Sequence, residues 1–254
     1  MEIRPVLIKD LREQMRDSRY YIVSVIYVFM LSAIVVGMFW AGATGKNPPS
    51  SDYAANILLI FFVMLTLAIS IICPALSLRS VFSEKKMIFE LKTPLKPGQI
   101  ITGKAISIFI YTLFLICASI PVLMPMQPEA KFLKCYSVAI ISAMMFSFIS
   151  ILWSFVFSNF RIASLIIYFC VFIFIIGTMI TPVILKTIFN VDLNNATISI
   201  LRSLSPLYVI ASIMGKTSEF VIFGQMPLWL GMIIGYIILS MFALIASYIR
   251  VKYS

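Results

Sequence analysis

Six apolar runs, each of 20 residues or more, dominate this chain, and none of them contains an acidic or basic residue. About 20 apolar residues in a helix span the ~30 Å hydrocarbon layer of a membrane. Backbone polar groups find no water there, so a single spanning run must be helical. The sequence therefore predicts an all-α polytopic membrane protein that forms one domain over residues 1–254. The predicted spans are Tyr21–Trp40, Ala54–Leu76, Ala105–Pro125, Cys135–Phe157, Ala163–Leu185 and Leu228–Ile249.

The composition excludes most membrane enzymes. Hydrophobic residues make up 61% of the chain, charged residues only 12%, and there is no histidine. Without histidine or a carboxylate inside a span, the chain lacks the groups that intramembrane proteases, zinc sites and proton relays require. The sequence thus predicts no catalytic residue, no metal site and no cofactor in this chain. Its four cysteines are interpreted as packing residues: Cys73, Cys117, Cys135 and Cys170.

Lysine and arginine are distributed unevenly between the two ends of the predicted spans. Fourteen of the twenty lie before span one, between spans two and three, between spans four and five, or after span six. The positive-inside rule places these segments, and with them both termini, in the cytoplasm. We expect a prokaryotic plasma membrane, with the net charge of +10 facing anionic lipid rather than nucleic acid.

The first twenty residues have the pattern of an amphipathic helix at the membrane surface. Leu7, Leu11 and Met15 fall on one face, whereas Arg12 and Arg16 fall mostly on the other. Such a helix can rest on the inner leaflet as an anchor. A contact surface for a soluble partner is the alternative interpretation.

A polar island, Arg79–Lys104, separates the second and third spans and holds six of the basic residues. Ser83 can cap a short helix over Glu84–Lys92, and Thr93-Pro94 would end that helix. Pro97-Gly98 is typical of a turn. A short, charged, sharply ended helix between two spans suits contact with a soluble partner, and a solvated loop is the alternative.

The island also contains a partial phosphate-binding pattern. Gly98–Lys104 fits G-x-x-x-x-G-K, but Ala105 stands where Ser or Thr would hold magnesium. The preceding Lys92–Pro97 cannot form a buried strand, since it carries two prolines and two lysines. We therefore do not expect this pattern to bind nucleotide.

The island resembles the cytoplasmic loop of the type-2 ATP-binding-cassette (ABC) permeases of the exporter type. The matching positions are Glu84-Lys85-Lys86, Glu90-Leu91, Thr93-Pro94-Leu95 and Ile101-Thr102-Gly103-Lys104. The opening residues IRPVLIKDLREQMRDSR are similar to the family's amphipathic N-terminal helix. With six spans and both termini inside, the resemblance covers the whole chain.

The resemblance implies a transport subunit that is not itself an enzyme. A separate pair of cytoplasmic ABC ATPases would bind ATP and magnesium, and its cleft would hold the island as a coupling helix. A second permease copy, identical or paralogous, would complete the conduit as a homodimer or heterodimer. The residues expected to contact the ATPase are Phe82, Glu84, Lys85, Lys86, Met87, Phe89, Glu90 and Leu91.

The connection between the last two spans is too apolar for a free loop. Ser205 and Pro206 have the pattern of a helix cap and first turn, and Tyr208 follows at helical spacing. Such a segment would lie at or re-enter the outer leaflet, as the family's outer gate does. Plain interfacial packing is the alternative.

Small residues recur in the first span at Ala33, Gly37 and Ala41. This spacing permits close approach of another helix, so the first span can serve the dimer. The uncharged spans favour a hydrophobic or amphipathic cargo, such as a peptide, a lipid or a drug. The alternative function is an ATPase-independent facilitator or a structural assembly factor.

Overall fold

The computed structural model describes residues 12, 18–44, 51–82, 97–123, 130–189, 195–215, 221–222 and 226–252. Within these ranges the chain is almost entirely helical. The helices are α1 (Ser18–Thr44), α2 (Ser51–Phe82), α3 (Pro97–Leu123), α4 (Ala130–Val156), α5 (Phe160–Phe172), α6 (Thr178–Phe189), α7 (Asn195–Ser203), α8 (Pro206–Ile213) and α9 (Leu228–Lys252). A five-residue π-helical segment, Ile173–Gly177, joins α5 to α6. The antiparallel strands β1 (Val221–Ile222) and β2 (Met226–Pro227) pair over two residues before α9.

The six predicted spans are confirmed as six helices long and apolar enough to cross a membrane. α1 to α4 and α9 each provide one span. The remaining span, the fifth in chain order, consists of α5, the π segment and α6. Five of the six begin earlier than the sequence predicted, most of all α3, which starts at Pro97 instead of Ala105. Apolarity predicts only the part of a helix inside the membrane, whereas the helix itself continues through polar flanking residues.

The fourth helix is the centre of the bundle. In its most apolar window 61% of the residues are buried inside the chain, against 17% for α1. α4 packs most extensively against α2 and α9, and also touches α3, α5 and α8. Small residues on its buried faces allow this close approach, because little side-chain volume separates the helix backbones. They include Ala139, Ser142, Ala143, Ser147 and Ser150, all fully buried.

Hydroxyl groups join the helices inside this apolar core. Ser150 Oγ of α4 donates to the carbonyl oxygen of Pro74 in α2 at 2.8 Å. The peripheral α1 contacts α3 through Ser24 and Tyr111, whose hydroxyl oxygens lie 2.9 Å apart. A hydroxyl can satisfy a carbonyl in the membrane without a buried charge, which would cost far more. These bonds join α4 to α2 and α1 to α3.

Candidate functional site

Lys104 is a buried lysine near the start of α3. Its side chain is only 3% exposed, and its Nζ donates to the carbonyl oxygen of Ser80 at 3.1 Å. Ser80 lies in the last turn of α2, where carbonyl groups have no partner within the helix. A cation at a helix C-terminus also interacts favourably with the helix dipole. Lys104 thus joins the end of α2 to the beginning of α3. These are the two helix ends that the segment 83–96 connects.

The spacing of buried residues in α3 explains why Lys104 points inward. Ile101, Lys104, Ala105 and Ile108 are all buried and recur at the three- and four-residue spacing of one helix face. Because α3 begins at Pro97, this face already points into the bundle at Lys104. The lysine therefore belongs to the packed face of α3 and not to a solvated loop.

The last residue of α2, Phe82, makes a second contact at this end of the bundle. Its ring packs edge-to-face on Phe160, with 5.6 Å between ring centroids. Phe160 begins α5 directly after Asn159, whose side-chain oxygen caps the helix by accepting from the Arg161 backbone N–H at 3.0 Å. The end of α2 is therefore held by α3 on one side and by α5 on another. We call Ser80, Phe82, Lys104 and Phe160 the island junction.

The phosphate-binding pattern lies inside a helix. Residues 98–103 form the first turns of α3, so their backbone N–H groups cannot fold into the loop that cradles phosphates. Lys104 is directed at the Ser80 carbonyl. The expected turn at Pro97-Gly98 is wrong for the same reason: Pro97 starts α3, where its missing N–H costs nothing.

A second junction lies in the middle of the fifth span, around the π-helical segment Ile173–Gly177. Ser205 Oγ donates to the carbonyl oxygen of Ile175 in this segment at 2.8 Å. The same oxygen caps α8 by accepting from the Tyr208 backbone N–H at 3.5 Å, and Pro206 follows as the first helical residue. One fully buried hydroxyl thus joins two elements. The predicted cap at Ser205-Pro206 is confirmed.

Tyr236 of α9 completes this second junction. Its hydroxyl donates to the Leu204 carbonyl oxygen at 2.6 Å, directly before Ser205. Its ring is fully buried, edge-to-face with Phe146 and Phe174, at 6.1 Å from each. We call Ile175, Leu204, Ser205 and Tyr236 the distal junction.

The helix that Ser205 caps is inserted into the bundle. Val209 and Ile210 are fully buried, and α8 contacts α2, α4 and α9. Tyr208 is buried beneath the Arg202 guanidinium, which lies 5.3 Å from the ring centroid. α8 ends before Gly215, whose φ of +74° favours glycine. This insertion fits a re-entrant segment better than a helix lying on the surface.

The other predicted residues fall partly outside the described ranges. For ATPase contact, Phe82 is described and lies in the island junction, while the remaining predicted contacts lie outside: Glu84, Lys85, Lys86, Met87, Phe89, Glu90 and Leu91. In the N-terminal segment, Arg12 is helical and exposed, and the others lie outside: Leu7, Leu11, Met15 and Arg16.

Ala33 and Gly37 of α1 face away from the rest of the described chain. Ala33 is exposed, and a Cβ added at Gly37 would meet no atom within 4 Å. The side chain of Ala41 lies outside the described residues. This face is therefore uncovered by the described part of the chain and stays the predicted dimer face.

Sequence reasoning missed Lys104, Tyr236 and the π segment. A signal for Lys104 existed, because it shares a helical spacing with the apolar residues after it. Tyr236 looked like any aromatic residue of a span. The π segment has no such pattern, although Gly177 and Pro182 mark the region as an unusual helix.

Comparison with known proteins identifies the class. The family model for ABC-2 type transporters matches residues 1–189, about three quarters of the chain, so the chain belongs to this family. It is a multi-pass membrane protein and the permease subunit of an ABC transporter. The whole island junction lies within the match, and of the distal junction Ile175 does. A comparison with curated proteins returned no match.

Proposed function

We propose that this permease subunit belongs to an ATP-driven exporter and forms half of its translocation pathway. A separate pair of cytoplasmic ABC ATPases binds ATP and magnesium, and the segment 83–96 enters its cleft as a coupling helix. A second permease copy, identical or paralogous, supplies the other half. Both termini face the cytoplasm. This chain contributes no catalytic group of its own.

The observation that carries the proposal is the island junction, taken together with family membership. A segment can transmit force only if its ends are anchored. The end of α2 contacts α3 through Lys104 and α5 through Phe82 and Phe160. Movement of the segment would therefore reach three helices of the bundle.

The proposed cargo is hydrophobic or amphipathic: a peptide, a lipid or a drug. The six predicted spans contain no acidic or basic residue, so a small ion would find no charged partner along them. The inserted α8, with its buried Tyr208, is the proposed outer gate.

The test is purification of the tagged chain from native membranes in mild detergent, with measurement of bound ABC ATPase and of ATP-driven transport in liposomes. Phe89→Ala should weaken ATPase binding about 30-fold, the effect of losing an aromatic anchor worth about 2 kcal/mol. Glu84→Ala should weaken it less, because a charge at the rim of an interface adds little affinity. Glu90→Lys should leave assembly largely intact and uncouple hydrolysis from transport.

The matched control is Phe39→Ala, which removes an exposed aromatic ring from α1 and should leave ATPase binding unchanged. Wild-type protein that carries no ATPase and moves cargo without ATP would be a facilitator. Wild-type assembly and transport in all three island variants would reduce the segment to a solvated loop.

A further inference from the structure

We propose that Lys104 is a positioning residue for transport: it makes α2 and α3 move as one unit when the segment 83–96 moves. This rests on the proposed function, because it requires an ATPase that acts on that segment. It assigns a role to the lysine of the G-x-x-x-x-G-K pattern, which is buried and bonded to another helix.

The position of the link is the first argument. The segment 83–96 leaves α2 after Phe82 and enters α3 at Pro97. The Lys104–Ser80 bond lies within two residues of the first point and two turns of the second. Another bond between these helices joins Cys73 Sγ and Thr112 Oγ1, which lie 3.2 Å apart and about 12 Å further along α3. Near the segment itself, Lys104 provides a direct polar link between the two helices.

Weak packing between the two helices makes that link matter. α2 packs far more extensively on α4 than on α3. A pull on the segment could therefore shift α3 along α2 unless a bond near the segment resisted it. The lysine side chain, which extends from α3 to the end of α2, supplies that resistance.

The chemistry of the lysine is the second argument. Lysine is almost never fully buried unless its ammonium group has partners. A leucine or methionine could fill the same space in a membrane protein, so what lysine adds is a donor and a charge. A hydrogen bond from a charged donor is stronger than one from a neutral donor, and here the donor is directed at the carbonyl of a helix end.

The test compares Lys104→Met, which keeps the length but removes the donor, with Lys104→Arg, which keeps the charge. Lys134→Met is the matched control, since Lys134 is exposed at the other end of the bundle, 5.5 Å from the Trp229 ring centroid. Two quantities are measured in the reconstituted complex: ATPase bound per permease, and cargo moved per ATP hydrolysed. Amide hydrogen exchange of the permease without ATPase is measured at the end of α2 and the start of α3.

Lys104→Met should lower cargo moved per ATP at least fivefold while bound ATPase and basal hydrolysis stay at wild-type levels. Exchange at the end of α2 should rise severalfold. Lys104→Arg should keep cargo moved per ATP and amide exchange close to their wild-type values. Lys134→Met should change neither quantity. A merely structural lysine would instead lower the amount of folded complex and leave cargo per ATP unchanged.

Wild-type cargo per ATP in Lys104→Met would overturn the proposal. If that variant does not fold, Lys104→Gln decides by the same ratio, because its shorter neutral side chain still fits the site. If wild-type protein binds no ATPase, the proposed function fails. The exchange measurement then still shows whether Lys104 links α2 to α3.

Discussion

The two junctions satisfy helix carbonyl groups in different ways. At the island junction Lys104 donates to the Ser80 carbonyl at the end of α2. The exposed Phe160 packs on Phe82 at the same helix end. At the distal junction two neutral hydroxyls, both fully buried, donate to carbonyls of a π segment and of the turn before α8. A helix end at the edge of the bundle can use a charge, whereas a site deep inside it favours neutral donors.

This difference predicts which substitutions affect the coupling of ATP hydrolysis to transport and which affect the stability of the fold. Ser80 and Phe82 are only half-buried, so water can partly replace what a substitution at either residue removes. At the distal junction the bond from Ser205 to the Ile175 carbonyl is fully buried, so water is less able to replace it, whereas the Tyr236 bond reaches the half-buried Leu204. We therefore expect substitutions at the distal junction to cost stability, and substitutions at the island junction to cost mainly coupling.

The largest stability effect is expected for Ser205→Ala. It removes the cap of α8 and the buried bond to the Ile175 carbonyl, so the free energy of unfolding should fall by about 2–4 kcal/mol. Unfolding in mixed micelles measures it. The control is Ser137→Ala, whose hydroxyl donates to Leu133 within its own helix on an exposed face. Equal losses of unfolding free energy in Ser205→Ala and Ser137→Ala would mean that the buried Ser205 bonds add no special stability.

A smaller effect is expected for Tyr236→Phe. The ring and its contacts with Phe146 and Phe174 remain, and only the bond to the Leu204 carbonyl is lost. The same unfolding measurement should show a loss of about 1–1.5 kcal/mol. Tyr248→Phe, on the exposed face of α9, should be neutral. A neutral Tyr236→Phe would mean that the distal junction depends on packing alone.

The smallest effect is expected at the island junction, between Phe82 and Phe160. A double-mutant cycle with Phe82→Leu and Phe160→Leu should give a coupling energy of about 0.5 kcal/mol, the lower end for aromatic pairs, because Phe160 is 46% exposed. A coupling energy larger than the loss of unfolding free energy in Tyr236→Phe would reverse the ranking of the two sites.

The sequence predicted the six spans and the cap at Ser205 because both depend on local signals. Hydropathy marks a span, and Ser-Pro before a helical spacing marks a helix start. It misjudged the start of α3, since Pro97-Gly98 is typical of a turn and equally of a first helical turn.

The junctions themselves could not be read from the sequence. Each is a contact between residues far apart in the chain: Lys104 with Ser80, and Ser205 with Ile175. A lysine next to a polar loop is usually solvated, so its burial depends on how α2 and α3 pack. The π segment accepts a hydrogen bond from Ser205, thirty residues further along the chain, and local propensity does not include such a contact.

The central claim is that the segment 83–96 faces the cytoplasm and is covered by an ATPase. Its most direct test labels Lys86→Cys, in a chain without its four native cysteines, using a membrane-impermeant maleimide. We expect no labelling in intact cells, labelling in inside-out vesicles stripped of ATPase, and protection when ATPase is bound. Ser51→Cys, at the start of α2, should label only from outside. Labelling of Lys86→Cys in intact cells would contradict the account.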